Sequence, residues 1–406
     1  MILPLARLAN SFVSEKYRGP VASYLELLIL QPTPFCNINC DYCYLSNRSV
    51  RQTMSLETIR ESVRMVLNAG LVGERLSVVW HAGEPLVLSV DYYQEAFAAI
   101  EEVVDGKCEI SHSFQSNGIL IDDDWCAFIR KHSARIGLSI DGPAFLHDLH
   151  RKTRTGKPTH AKVMRSVEKL KQHSIPFHAI AVITADALDH ADAVFNFFQN
   201  LGIAEVGFNI EELEGVHDSS SMSAEVNTDR IRKFWQRLYN LHEASLPSFQ
   251  IREFRKAAAA VLFSQARLSW QEIAMQNDQV LPFRIISVDY QGHVSTFSPE
   301  LMGVHDTAYN DFKLGKVGED DLYAIRESKP FRKMANAVMD GVRKCSRTCE
   351  YFSVCGGGGP SNKYFENGSF NSTVTMYCRN SIQLPMQVVL TGFENKLRII
   401  DSADIE

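Results

Sequence analysis

The sequence predicts an α/β fold: a partial (β/α)6 TIM-like barrel followed by a smaller, cysteine-bearing C-terminal domain. Three observations carry this expectation. Short apolar runs alternate with amphipathic stretches over the first half of the chain. Polar or glycine-bearing clusters stand at the carboxyl ends of those runs, where such barrels keep their chemistry. Seven of the nine cysteines fall into two groups, one toward each end of the chain.

The first run, LELLILQ at 25–31, reads as a buried strand ended by Pro32 and Pro34. The loop FCNINCDYCYL follows. Next, SLETIRESVRMVLN places Leu56, Ile59, Val63, Val66 and Leu67 on one helical face, with Ser55 as N-cap. LSVVW, ISHSFQ, RIGLSI, FHAIAVI and AEVGFNI read as five further strands with helical segments between most of them. That alternation implies βαβ units and a parallel sheet. The strand ends carry HAGEP (81–85), QSNG (115–118), SIDGP (139–143), and Asn209 followed by EELEG.

Residues 216–280 are polar and helical in pattern and carry no chemical motif. FRIISVDYQGHVSTFSPE opens the last region, with Gly292 suited to a hairpin turn. CGGGGP has no strand before it and no clear helix after it, so it is not a dinucleotide fingerprint. Its glycines let the backbone beside Cys355 pass close to a bulky group. The expected organisation is an N-terminal extension (1–24), the barrel (25–215), a helical connection (216–280), the cysteine-bearing domain (281–380) and a C-terminal helix or tail (381–406).

Bulk properties narrow the class. The 406 residues are 45% hydrophobic and 22% charged, with a formal net charge of −6. This is the balance of a soluble globular protein, and the absence of a basic run argues against nucleic-acid binding. No apolar stretch approaches the roughly 20 residues that span a bilayer. The leading MILPLARLANSF is interrupted by Pro4 and Arg7 and lacks the core of a signal peptide. It is also too short to suggest a leader-binding domain. A cytoplasmic location is expected, and there nine cysteines favour metal binding over a disulfide framework. Cys108 and Cys126 stand alone and read as buried hydrophobes.

Three thiolates on one tight loop can cap three irons of a [4Fe–4S] cube and leave the fourth open to a chelating molecule. Cys36-x3-Cys40-x2-Cys43, with Tyr42 before the last cysteine, resembles the signature of radical S-adenosylmethionine (SAM) enzymes. HAGEP resembles that family's Gly-Gly-Glu-Pro segment, with Ala82 in place of the first glycine. The resemblance implies that Ala82, Gly83 and Glu84 hold the SAM amino group. It implies that Ser139 and Arg151 hold the SAM carboxylate, a task that suits the planar guanidinium fork. Gln115, Asn117 and Asp141 would line the ribose and substrate side. His147 and His150, a helical turn apart, become flanking residues rather than a metal pair.

Cys345-x3-Cys349-x5-Cys355, with Cys378 downstream, resembles a SPASM-type iron–sulfur domain and implies one auxiliary [4Fe–4S] cluster. Phe297-Ser298 stands where the family has Cys-Asp, and Gly359 replaces a further cysteine, so ligands for a second auxiliary cluster are missing. The same four thiolates would also suit a zinc ribbon.

QPTPFCNINCDYCYL, FNIEELEG, STFSPELMG and CGGGGPSNK, within a similarity running from about residue 25 to 380, resemble the cyclophane-forming peptide maturases of the Grr type. The resemblance implies a carbon–carbon crosslink between an aromatic ring and the β-carbon of a nearby residue in a ribosomally made precursor peptide. An electron donor such as a flavodoxin or ferredoxin would serve the reaction. Glu300 in FSPE is a candidate base, although a structural capping role accounts for it better. Alternatives are formylglycine formation, as in the related anaerobic sulfatase-maturing enzymes, a thioether crosslink, or a non-catalytic iron–sulfur electron carrier. Sulfatase maturases use an aspartate where Ser298 stands, and an electron carrier needs no Glu84, Ser139 or Arg151. Seven ligand cysteines predict about eight irons per chain after anaerobic reconstitution, and an iron and sulfide assay near twelve would restore the second auxiliary cluster.

Overall fold

The computed structural model describes residues 24–223, 227–245, 249–262 and 268–403, so all but Tyr24 of the expected N-terminal extension lies outside the described residues. Six strands form the centre of one sheet: β1 (Leu27–Leu30), β2 (Arg75–Trp80), β3 (Glu109–Ser116), β4 (Arg135–Ser139), β5 (Phe177–Ile183) and β6 (Glu205–Ile210). Each pairs in parallel with the next, as their connecting helices require. Those helices are α1 (Leu56–Asn68), α2 (Val90–Val104), α3 (Asp123–Lys131), α4 (Ala144–His150), α5 (His160–Gln172) and α6 (Ala191–Leu201). Ser55 caps α1 as its position suggests, its hydroxyl accepting from the Thr58 amide at 3.0 Å. This is the expected partial α/β barrel.

An aromatic layer fixes α2 and α3 onto β2 and β3. Trp80 and Phe114 from the strands meet Tyr93, Phe97 and Phe128 from the helices, all of them buried. Tyr93 stands edge-on to both Trp80 and Phe114, at 5.1 and 4.9 Å between centroids. Burial of each such side chain contributes about 1.5–3 kcal/mol. The layer therefore holds the β2 and β3 carboxyl ends, with HAGEP and QSNG, on a rigid base. Cys126 is fully buried in the same core, and half-buried Cys108 packs against it.

Beyond β6, the polar region forms α7 (Asn227–Ser245), α8 (Arg252–Leu262) and α9 (Trp270–Ala274). It also contributes a strand that the sequence pattern does not reveal: β7 (Gln250–Ile251) pairs in parallel with β6. Two residues are too few for a periodicity. The expected hairpin forms as β8 (Ile285–Val288) and β9 (His293–Thr296), with Gly292 at φ 88° in its turn. However, β8 also pairs in parallel with β1, and short β10 (Gly315–Lys316) pairs antiparallel with β9. The sheet has ten strands in the order β10-β9-β8-β1-β2-β3-β4-β5-β6-β7 among the described residues. The hairpin expected to open a separate domain is thus continuous with the barrel sheet.

The C-terminal region adds α10 (Leu322–Glu327), α11 (Lys329–Thr348), α12 (Phe352–Cys355), α13 (Pro360–Asn367) and α14 (Leu384–Ala403). The expectation that no helix follows CGGGGP is corrected here. Pro360 occupies the first turn of α13, where its missing amide costs nothing. The segment before the glycines is helical, so the absence of a leading strand stands. No helix among the described residues is long and apolar enough to cross a membrane.

Fully buried Trp235 in α7 ties the C-terminal segment to the barrel, its indole nitrogen donating to the Asn380 carbonyl at 2.8 Å. Trp235→Phe strands that carbonyl and should cost about 1–3 kcal/mol, read as a lower urea midpoint with an unchanged slope.

Candidate active site

The cysteine loop sits beyond the carboxyl end of β1 and is held from several sides. The Glu84 amide donates to the Phe35 carbonyl at 2.8 Å, and the Asn39 amide to the Lys152 carbonyl at 2.7 Å. Arg48 reaches the Cys40 carbonyl at 2.9 Å, and Arg154 the Cys36 carbonyl at 3.1 Å. Cys36 and Cys40 are buried and Cys43 is half-buried. Burial, reinforced for Cys36 by the Glu84 carboxylate, pushes the Cys36 and Cys40 thiols up to about 12. A metal taken up by these thiols must displace their protons.

Asp141 fastens the loop to the barrel. Its carboxylate accepts two bonds from the Arg151 guanidinium, at 2.9 Å from Nε and 3.0 Å from Nη2. It also accepts from the Val182 amide at 2.9 Å and from the Tyr42 hydroxyl. Asp141 and Arg151 are both buried. Burial opposes the Asp141 charge, yet Arg151 and His147 overcome it and hold the carboxyl below the usual range. Arg151 stands over the Tyr42 ring at 5.4 Å and directs Nη1 toward the Cys40 sulfur at 4.0 Å. The fork assigned by resemblance to a SAM carboxylate is therefore engaged by a protein carboxylate, leaving the Nη1 edge toward the thiols. His147 bonds Thr159 at 3.0 Å, and His150 bonds Asp41 at 3.0 Å and so braces the cysteine loop.

The other strand ends press against the same loop. Ala82 and Gly83 adopt left-handed backbone, φ 70° and 59°. A Cβ at Gly83 would collide with the Thr33 carbonyl oxygen, so glycine is required there. Glu84, buried at the end of β2, accepts from the Leu86 amide, the Ser116 hydroxyl and the Asn117 amide at 3.0, 2.7 and 2.7 Å. Burial raises it to about 6 against those bonds. Three of its roughly four acceptor positions are thus used in bracing β2 to β3. Asn117 donates to Asn37 at 2.7 Å, with its Nδ2 3.8 Å from the Cys36 sulfur. Gln115 donates to Ser139 at 2.9 Å across β3 and β4.

Buried polar atoms without protein partners surround the loop: Asn37 Nδ2, Tyr44 Oη and His81 Nδ1. Together with three thiols at one strand end, this donor set fits a sulfur-ligated cluster and a polar ligand beside it. The second set of thiols behaves similarly. Cys345 closes α11, Cys349 caps it, Cys355 ends α12, and Cys378 begins the turn before α14. All four line one small pocket with Gly357 and Gly358. A Cβ on Gly358 would lie 3.3 Å from the Cys378 sulfur, so the glycine makes room for a bulky occupant. A tetrahedral zinc site would draw the sulfurs within about 4 Å of one another. Among the described residues, no three His, Cys, Asp or Glu groups are arranged to hold a single metal ion.

A cavity of ≈780 Å³ opens beside Cys355 of the second thiol set. Glu212, Glu214 and Glu300 line one side, Arg252 and Lys256 another, and Cys355, Gly358, Ser361 and Asn362 complete it. Asn362 donates to Glu212 at 2.6 Å, Ser361 to Glu214 at 3.2 Å, and Ser298 to Glu300. Loss of hydration pushes Glu212 up to about 8 and raises Glu214 and Glu300 as well. The loop after β6 docks on the cysteine loop through Gly215, where any Cβ would overlap the Tyr44 carbonyl. Sequence reasoning noted EELEG as a polar strand end but gave Glu212 and Glu214 no role. The signal was a carboxylate pair beside a glycine at a barrel mouth.

Asp141→Asn should leave Arg151 buried without its counter-charge, lowering stability by about 3–5 kcal/mol and loosening the cysteine loop. Thermal melts of the iron-free protein and iron retention after reconstitution measure the two effects. Because the folded Asp141 carboxyl is held below its ordinary 3.8, its contribution is present above that value and is lost as pH falls through the folded one. The asparagine variant should lack that part of the acid sensitivity.

The model of the radical SAM superfamily matches residues 30–198. A Synechocystis protein of unassigned function is 40% identical over 375 residues, covering 91% of this chain and 92% of its own. A serine-type anaerobic sulfatase-maturating enzyme from Bacteroides thetaiotaomicron is 23% identical over 379 residues, 90% of this chain and 89% of that one. Among solved structures, anSMEcpe with bound AdoMet superposes with a TM-score of 0.71 at 22% identity, covering 92% of this chain and 99% of its own. Streptococcus suis SuiB bound to its precursor peptide SuiA gives 0.60 at 16% identity, covering 87% and 76%. These likenesses, the thiol loop and the strand-end constellation agree: the chain belongs to the radical SAM superfamily, enzymes that use a [4Fe–4S] cluster and SAM.

Proposed function

We propose that this enzyme crosslinks a ribosomally made precursor peptide, joining an aromatic ring to the β-carbon of a nearby residue in a cyclophane. One observation carries the reading. The four segments that resemble Grr-type maturases lie far apart in sequence, yet three of them line the ≈780 Å³ cavity and the fourth packs against one of those three. FNIEELEG supplies Glu212 and Glu214, STFSPELMG supplies Glu300, and CGGGGPSNK supplies Gly358, Ser361 and Asn362. QPTPFCNINCDYCYL adjoins them through the Tyr44–Gly215 contact. The volume falls in the range of ligand pockets. Relatives offer support for a peptide: SuiB is solved with SuiA, and anSMEcpe with the Cp18Cys peptide.

In this reading Cys36, Cys40 and Cys43 hold the SAM-binding cluster. Tyr42, Ala82, Gly83, Glu84, Gln115, Asn117, Ser139, Asp141 and Arg151 shape the SAM side, several of them by fixing the loop rather than by direct contact. Cys345, Cys349, Cys355 and Cys378 hold one auxiliary [4Fe–4S] cluster. When bound, SAM and its cluster supply a carbon radical that takes a hydrogen atom from the substrate. The protein's own share is to seat the peptide and to take up the proton released when the substituted ring regains aromaticity. Glu300, raised by burial and bonded by Ser298, is the proposed acceptor, with Glu212 and Glu214 beside it. A carboxylate shifted toward neutrality suits that exchange. A flavodoxin or ferredoxin would deliver the starting electron, in a cytoplasm that keeps thiols reduced.

Co-expression with the precursor peptide tests the assignment. Each crosslink should remove a pair of hydrogens, and tandem mass spectra should show no cleavage between the joined residues. Glu300→Gln should lower crosslinked product by about 10²-fold or more while 5′-deoxyadenosine still forms. A formylglycine in the product would replace this reading with a sulfatase-type one.

A further inference from the structure

Lys363 is 2% exposed, a rare state for lysine. It sits in α13, and its Nζ lies 3.4 Å from the Cys345 sulfur, its one side-chain hydrogen bond among the described residues. No carboxylate lies within ion-pair distance of it among the described residues. Two glycines make its berth. A Cβ on Gly341, in the middle of α11, would overlap the Phe370 carbonyl and stand 3.2 Å from Nζ, and one on Gly358 would stand 4.0 Å from Cε. The same Gly358 Cβ would lie 3.3 Å from the Cys378 sulfur. The lysine side chain therefore reaches the thiol pocket between two glycines.

A buried ammonium without an anion costs several kcal/mol, and protonated thiols offer no charge to offset it. Four thiolates around an iron–sulfur cube do, since the assembly is an anion when oxidised and gains a further negative charge on reduction. We propose that Lys363 is a built-in cation that eases one-electron reduction of the auxiliary cluster, making it the sink for the electron given up by the substrate ring. This rests on the reading that Cys345, Cys349, Cys355 and Cys378 hold a [4Fe–4S] cluster beside the peptide cavity. The balance is simple. The ring radical formed by carbon–carbon bond formation loses a proton to a carboxylate and an electron to the oxidised cluster, which is reduced by one electron. Hydrogen bonds and charge at the sulfurs are recognised determinants of cluster potential, and both arrive here on one side chain.

The test is a redox titration of the full chain followed by electron paramagnetic resonance, in a background with Cys36, Cys40 and Cys43 changed to Ala so that one cluster reports. Lys363→Met should keep its iron and make reduction at least tenfold less favourable, a fall of about 59 mV for one electron. Lys363→Arg, which keeps the charge, should stay within threefold of the parent. An unchanged midpoint in Lys363→Met overturns the proposal. So does loss of iron in both Lys363→Met and Lys363→Gln, which would make the lysine a holding residue. A parent that takes up no iron overturns the cluster reading itself, and the proposal with it.

Discussion

A single buried carboxylate sets the geometry on which the site depends. Asp141 leaves β4 and grips Arg151, from the end of α4, Tyr42, from the cysteine loop, and the Val182 amide of β5. Each bond alone is ordinary. Together they join three pieces of chain at one point, and none can be withdrawn without leaving a charge or polar group unsatisfied in a dry setting. In the proposed role, a loop that presents three thiols to a rigid inorganic cluster cannot wander. Here its posture is fixed by electrostatics from beneath, while backbone bonds to Phe35, Asn39 and Cys40 hold its rim.

The Arg151–Asp141 pair also leaves part of the guanidinium free to face the cysteine loop. With two guanidinium donors occupied by Asp141, Arg151 keeps one edge facing Cys40. Glu84 follows the same logic on the other wall, bracing β2 to β3 with most of its acceptor capacity. Around the cavity the order is reversed. Glu212, Glu214 and Glu300 have light hydrogen bonding and heavy desolvation, so burial raises all three above the ordinary carboxylate range and favours their protonated forms. The structural carboxylates are tightly paired, and the proposed reactive ones are not.

The barrel was legible because strand and helix periods are local properties: Val- and Ile-rich runs, Ser55 before α1, and Gly292 in the hairpin all declare themselves within a few residues. The cysteines were legible for the same reason. What escaped was long-range. No residue of β8 announces that it will lie beside β1, and β7 is too short to leave a pattern. Family resemblance marked Arg151 as important but could not show that Asp141, ten positions earlier, would occupy its fork. The cavity was visible only as scattered fragments, because EELEG, FSPE and GGPSN meet solely in three dimensions. Lys363 was hidden by its chemistry, since a lysine in a polar helix reads as a solvent-facing residue.

The pairing of β8 with β1 has a consequence for how the protein is made. β1 leads directly into the cysteine loop and is synthesised well before β8, so one of its flanks stays bare until residues 285–288 have emerged. During that interval a buried, wholly apolar strand, LLIL, is an open edge. Contacts so distant in sequence form late. The strand that carries the thiols therefore becomes internal only when the second half of the chain has arrived, so its final setting comes after translation of most of the chain rather than during it. An arrested or truncated chain would display the cysteine loop at the margin of an unfinished sheet, where association with other chains competes with completion of the fold.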